Sequence, residues 1–189
     1  MNVDKNPVIF VVLAVAAILV GTLVTTFIPL FVGTASPSLE KVIPYKPIEL
    51  EGRDIYIREG CNNCHTQTVR PLKFETDRYG TYSKIENSAI DRPHLWGSKR
   101  TGPDLANVGT KYPAPWHTMH MKKPQGMYKD SNMPPYPWLA DRALDARYAE
   151  KKMRVLGYPF TSEDISALGG KTEMDAIVAY LTRLGKETR

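Results

Sequence analysis

Residues 52–71 read GRDIYIREGCNNCHTQTVRP, and this stretch holds the only two cysteines of the chain, Cys61 and Cys64, with His65 directly behind them. A C-x-x-C-H run is the attachment signature of c-type haem. The spacing has a mechanical reason. In a helical turn the two thiols reach the two vinyl groups on one edge of the porphyrin, and the histidine that follows swings beneath the ring to the iron. Other uses of a C-x-x-C pair fit less well. A thioredoxin-like motif needs a strand-and-helix setting that the neighbouring sequence lacks. A structural zinc site needs two more ligands, and His117 and His120 stand closer together than the histidines of a zinc finger. A disulfide across so short a loop is strained.

Upstream of the cysteines, Glu51 to Gly60 predicts a short helix, with Gly52, Ile55, Tyr56 and Glu59 on adjacent turns and Gly60 as its stop. Gly33 to Lys46 is rich in Pro and Ser and has no period, as a linker does. Pro7 to Val32 carries no charge at all, while a bilayer core needs about 20 apolar residues of helix. One spanning helix is expected, and the chain divides into an anchor at 1–33, a linker at 34–46 and a haem-bearing domain from 47 to 189. A cleaved signal peptide is the competing reading, but its apolar run is only about 7 to 15 residues long and follows a clearly basic start. Here Asp4 offsets Lys5. Lysines near the two ends of the span do not set its orientation. Covalent haem attachment does, because it takes place outside the bacterial cytoplasm. The N-terminus is therefore expected inside and the domain on the periplasmic side of the inner membrane.

Downstream, Thr66 to Leu95 is polar and irregular, and a connection of that length is expected to dock something. Leu139 to Leu156 predicts a helix with Leu139, Ala143, Leu144, Tyr148, Val155 and Leu156 on its apolar face. Thr161 or Ser162 caps a short turn through Leu168. Thr172 and Asp175 open a last helix on which Met174, Ile177, Val178, Leu181 and Leu184 recur at helical spacing, with Gly185 ending it. Strand signals and internal repeats are scarce, so the fold is expected to be mainly helical. The net charge is +5 over 189 residues, enough to steer an acidic partner modestly. Without a basic stripe interleaved with aromatics, nucleic acid is not an expected partner.

A thioether opposite histidine raises the reduction potential of the iron and suits electron transfer. Outside the anchor, Met119, Met121, Met127, Met133, Met153 and Met174 are candidates. Met153 and Met174 fall within predicted helices and read as core filler. Met133 sits in Ser131-Asn132-Met133-Pro134-Pro135-Tyr136-Pro137, a loop that three prolines stiffen. It is the preferred sixth ligand, with Met127, Met121 and His120 as alternatives. His94, His117 and His120 otherwise read as structural or surface residues. An iron-bound histidine gives its other ring N–H to an acceptor, and Thr101-Gly102-Pro103-Asp104-Leu105 is a candidate segment, although Gly-Pro is also ordinary turn chemistry.

These motifs together resemble a known family. Residues 52–71, WGSKRTGPDLANVG at 96–109 and SNMPPYPWL at 131–139, behind an N-terminal anchor, are similar to the mono-haem subunit of cbb3-type cytochrome c oxidases. Asn62 stands where an aromatic residue often follows the first cysteine in that family. The resemblance implies a class I cytochrome c-like domain whose helices at Glu51–Gly60 and Thr172–Leu184 cross. In such domains the proline of Gly-Pro-x-Leu accepts the histidine hydrogen bond and the leucine packs on the haem, roles that fall to Pro103 and Leu105. The resemblance also implies a relay. Electrons would arrive from a di-haem subunit of the same complex or a soluble cytochrome c and leave for a haem-copper subunit that reduces oxygen. Trp96, Ser98, Lys99 and Arg100 would then touch haem propionates or the catalytic subunit, or form a solvated loop. The cytochrome subunit of a nitric oxide reductase shares the plan of one anchor and one haem domain, but the 96–105 stretch and the long 66–95 insertion favour the oxidase. A membrane-anchored haem sensor would need an output domain, and none is expected after residue 185.

Overall fold

The computed structural model describes residues 5–32 and 42–186, which leaves most of the expected linker, residues 33–41, outside the described residues. The chain forms two compact units, Met1–Glu40 and Lys41–Arg189.

In the first unit, helix α1 runs from Pro7 to Phe31 and is long and apolar enough to cross a membrane, with a mean hydropathy of 2.9. Asn6 caps its start by accepting from the backbone N–H groups of Val8 and Ile9. Near its end the helix widens to a π-helical turn over Leu23–Phe27. Pro29 lies just beyond, where it supplies no N–H to the carbonyl four residues back, and Thr25 Oγ1 turns inward to donate to the Gly21 carbonyl at 2.7 Å. Both are the usual company of a distorted spanning helix.

The second unit is mainly helical, and no strand occurs among its described residues; one isolated bridge pairs Ala143 with Thr172. Its frame is two crossing helices, α2 at Pro47–Arg58 and α7 at Glu173–Arg183. They meet at Gly52, where a Cβ would lie 2.6 Å from the Ala176 carbonyl carbon and 2.8 Å from Tyr180 Cβ. Only glycine permits so close a backbone approach. The predicted cap of α7 is present: Thr172 N–H donates to Asp175 at 2.9 Å, and Thr172 Oγ1 accepts from Asp175 N–H at 3.3 Å. Met174, Ile177, Val178, Leu181 and Leu184 are all buried, as the periodicity predicts. α2 starts a turn earlier than its sequence pattern, at Pro47, because Glu49 accepts from the Lys46 N–H and the proline presets the first turn. Tyr45 is already core, 4 % exposed, with its hydroxyl donating to buried Asp91 at 2.9 Å.

Two expectations are corrected. The segment 66–95 is not simply irregular: it contains helix α3 at Lys73–Tyr79 and a 3-10 turn at Ile85–Ser88, and it carries the buried carboxylates Glu75 and Asp91. Its apolar content is too low for a periodic pattern, since buried ion pairs do the anchoring. Nor does one helix span Leu139–Leu156. Pro137–Ala140 is a separate 3-10 turn, and the helix, α5, covers Ala146–Leu156 with Asp145 capping the N–H groups of Arg147 and Tyr148. The buried face of α5 is Ala149 and Met153, whereas Tyr148, Val155 and Leu156 are exposed. Lys152 fixes that rotation by reaching Glu51 at 2.7 Å and Asp54 at 2.5 Å on α2. Helices α4 (Ala114–Lys122) and α6 (Ser162–Ser166), the latter capped by Thr161 as expected, also belong to the unit, as does a single helical turn at Pro124–Met127.

Candidate haem site

α2 ends at Gly60 in the left-handed conformation, φ +73°, and the chain turns at once into a 3-10 helix over Cys61–Asn63. That turn puts Cys61, Cys64 and His65 on the wall of one cavity of about 670 Å³, within the roughly 300–1,000 Å³ of known ligand pockets. Neither cysteine is in a disulfide. Burial pushes the Cys61 thiol up to about 12, helped by the nearby Glu59 carboxylate.

Two backbone hydrogen bonds join the residues around His65 to the Gly-Pro segment: Gly102 N–H to the Cys64 carbonyl at 3.0 Å, and Leu105 N–H to the Thr66 carbonyl at 2.9 Å. The imidazole lies against Gly102, where a Cβ would fall 2.7 Å from Nδ1 and 2.8 Å from Nε2. His65 Nδ1 is 2.8 Å from the Pro103 carbonyl. A carbonyl only accepts, so Nδ1 carries the proton and Nε2 keeps its lone pair. Burial holds the ring below the ordinary histidine range, against the pull of the Pro103 bond, and so keeps that lone pair available. Leu105 lines the same cavity.

Arg100 is not part of a solvated loop: its side chain turns into the domain and is 19 % exposed. Its Nη2 donates to Glu75 Oε2 at 2.8 Å, to the Thr68 carbonyl at 2.8 Å and to Asp104 Oδ2 at 3.4 Å, and its Nε donates to Thr66 Oγ1 at 2.8 Å. Asp104 also accepts from the Thr66 hydroxyl and from the Thr68 N–H, and Glu75 accepts from Arg70. The network clasps the residues that follow His65 to those that follow Pro103. Two buried carboxylates are thereby each paired and hydrogen-bonded, the condition for burying such charges. Arg100, with smaller help from Arg70, holds the Glu75 carboxyl down to about 2. Ser98 and Lys99 are exposed, and exposed Trp96 stacks on His94 at 4.4 Å.

The far wall comes from α4 and the loop after it. Met133 lines the cavity, as do Met121 and His120, while Met119 is exposed and Met153 and Met174 lie in the core. Met127 is half-buried and is not among the lining residues. The loop geometry around Met133 is fixed by Gln125, whose side-chain amide donates to the Ser131 and Met133 carbonyls at 3.0 and 2.7 Å. Sequence reasoning missed Tyr112 and Trp116, which also face this space, and His117, read there as structural or surface, lines it too. Tyr112 and Trp116 stack at 3.9 Å and Trp116 and His120 at 4.7 Å, a ladder at helical spacing that could have been noticed.

A covalently fastened haem fits what is present: a largely apolar cavity, two unpaired cysteines at its edge, a neutral histidine with its lone pair free, and a glycine that leaves room for that ring. No curated protein matches the chain. Its residues 1–169 match the family described as cytochrome c oxidase, mono-haem subunit/FixO, and the chain belongs to that family of one-haem oxidase subunits.

Proposed function

We propose that the chain is the electron-relay subunit of a cbb3-type cytochrome c oxidase, with one haem c that Cys61 and Cys64 would bind through thioethers and whose iron His65 and Met133 would hold. When bound, that group would carry one electron at a time between ferric and ferrous iron. The observation that carries the reading is the His65–Pro103 hydrogen bond at 2.8 Å beside the two unpaired cysteines, in a cavity that Met133 also lines. His65 holds its proton on Nδ1, so Nε2 is the metal-binding atom. Met133, held by Gln125 and the surrounding prolines, supplies the thioether. A chain that supplies both His65 and Met133 to the iron would pass electrons rather than bind oxygen. Pro103 and Leu105 position the histidine and cover the ring. The electrons come from a di-haem subunit or a soluble cytochrome c and go to the haem-copper subunit. α1 fastens the chain in the bacterial inner membrane, with the haem domain on the periplasmic side.

The test is purification of the full chain with its complex, followed by redox difference spectra of wild type and Met133→Leu. The expected wild type shows covalent c-type haem and the weak methionine-to-iron charge-transfer band, co-purifies with an oxygen-reducing, copper-containing subunit, and loses that band in the variant. An unchanged variant moves the sixth ligand to Met121 or His120. A chain without covalent haem refutes the reading.

A further inference from the structure

His117 is buried in α4, 3 % exposed, and lines the haem cavity. Its Nε2 is closed off from solvent and has no hydrogen-bond partner, a state that buried polar atoms rarely tolerate. The ring's hydrogen bond is made to the backbone of Tyr112. Its carbonyl can only accept, so Nδ1 donates there and the lone pair sits on Nε2. The ring is also braced edge-on by Trp116 at 5.3 Å and 90° and by Tyr112 at 6.3 Å and 89°, which leaves it little freedom to turn toward another partner.

The titratable groups bearing on His117 are His120, on the same helix, and Lys186, beyond α7, and both disfavour its protonated form. Of the groups a haem brings into such a cavity, only its two carboxylates are anionic; the rest of the ring is apolar. We propose that His117 Nε2 pairs with a carboxylate of the bound haem, the imidazole and the carboxylate holding one proton between them. This rests on the haem reading above. Burial, with His120 adding to it, pushes His117 down to about 4 when no anion is beside it, and a carboxylate in contact reverses that push. The arrival of one electron from the donor lowers the charge of the cavity by one. A pair that has lost its shared proton then takes one from solvent, and releases it again on oxidation.

The experiment is redox titration of the haem-loaded full chain in its complex across neutral and acid pH, for wild type, His117→Phe and His117→Gln. The wild-type potential should fall as pH rises through a bounded window. His117→Phe should be flat and lower at the acid end. His117→Gln, which keeps a donor but does not titrate, should be flat and lie above His117→Phe. Redox-difference infrared spectra with haem labelled with carbon-13 at its carboxyl groups provide a second readout, independent of whether His117→Phe loads haem. The labelled carboxylate band should move between wild type and His117→Gln. Wild-type and variant potential curves that superimpose, sloped or flat, or a labelled band that does not move, overturn the pairing while leaving the relay reading intact. A chain that carries no covalent haem overturns both.

Discussion

Gly102 and Glu75 set the proximal side of the site from opposite directions, one by having no side chain and the other by having a charged one that is fully buried. Gly102→Ala places a methyl inside the space of the His65 ring, and either the ring or the Gly-Pro segment must move. Overpacking of this kind costs about 1–3 kcal/mol. The expected result is a chain with reduced haem content per polypeptide and a weakened low-spin spectrum, measured on membranes expressing wild type and variant side by side. Glu75 predicts a pH dependence. Its carboxyl is held at about 2 against an ordinary value of 4.5, so the folded state binds the proton less readily than the unfolded chain. The stability this gives is complete above the unfolded value and is lost as pH falls through the window between the two. Denaturant midpoints should therefore drop over that interval in wild type. Glu75→Gln should be less stable at neutral pH and flatter across the same window. That Cys61, Cys64 and His65 share one wall was legible in the sequence because they form one short local run, whereas Pro103 was placed beside His65 through a family resemblance. The clasp was not legible, since Glu75 and Arg100 are brought together only by the fold, and a lone glutamate in a polar segment carries no local signal.

α5 illustrates the same limit for an element. Leu139, Tyr148, Val155 and Leu156 form one stripe in the sequence, but a helix that begins at Ala146 presents Ala149 and Met153 inward instead. Its rotation is set by the Asp145 cap and by Lys152 reaching α2, neither of which a hydrophobic pattern reports. The two faces separate experimentally. Met153→Ala should cost about 2–5 kcal/mol, and Val155→Ser should stay within about 0.5 kcal/mol, as read from thermal unfolding by circular dichroism. Equal effects would mean that the face is assigned wrongly. α7, by contrast, was readable in its bounds and its apolar stripe, because a capping box and that stripe agreed with each other, although buried Ala176 and Tyr180 were not part of the pattern.

For the whole molecule, the anchor was the plainest feature of the sequence and the connection behind it the least informative, since a segment without period gives no structural signal. α1 exposes apolar side chains along its whole length, among them Val8, Phe10, Ile18, Leu19 and Leu30. A surface of this length and composition suits a bilayer core. Alkaline carbonate washing of membranes should leave the chain in the pellet, and detergent should be needed to release it; recovery in the carbonate supernatant would show that α1 does not span.

The clasp of Arg100, Glu75 and Asp104 around the backbone behind His65 also bears on speed. An electron carrier works against the work of rearrangement, which is the cost of shifting atoms and dipoles each time its charge changes. Here the His65 ring is fixed by a carbonyl, two backbone bonds and a salt-bridged network, all in place before any electron arrives. Dipoles that are already set need little reorganisation. Loosening the clasp should therefore slow the hand-off even where the haem remains bound and its potential is unchanged.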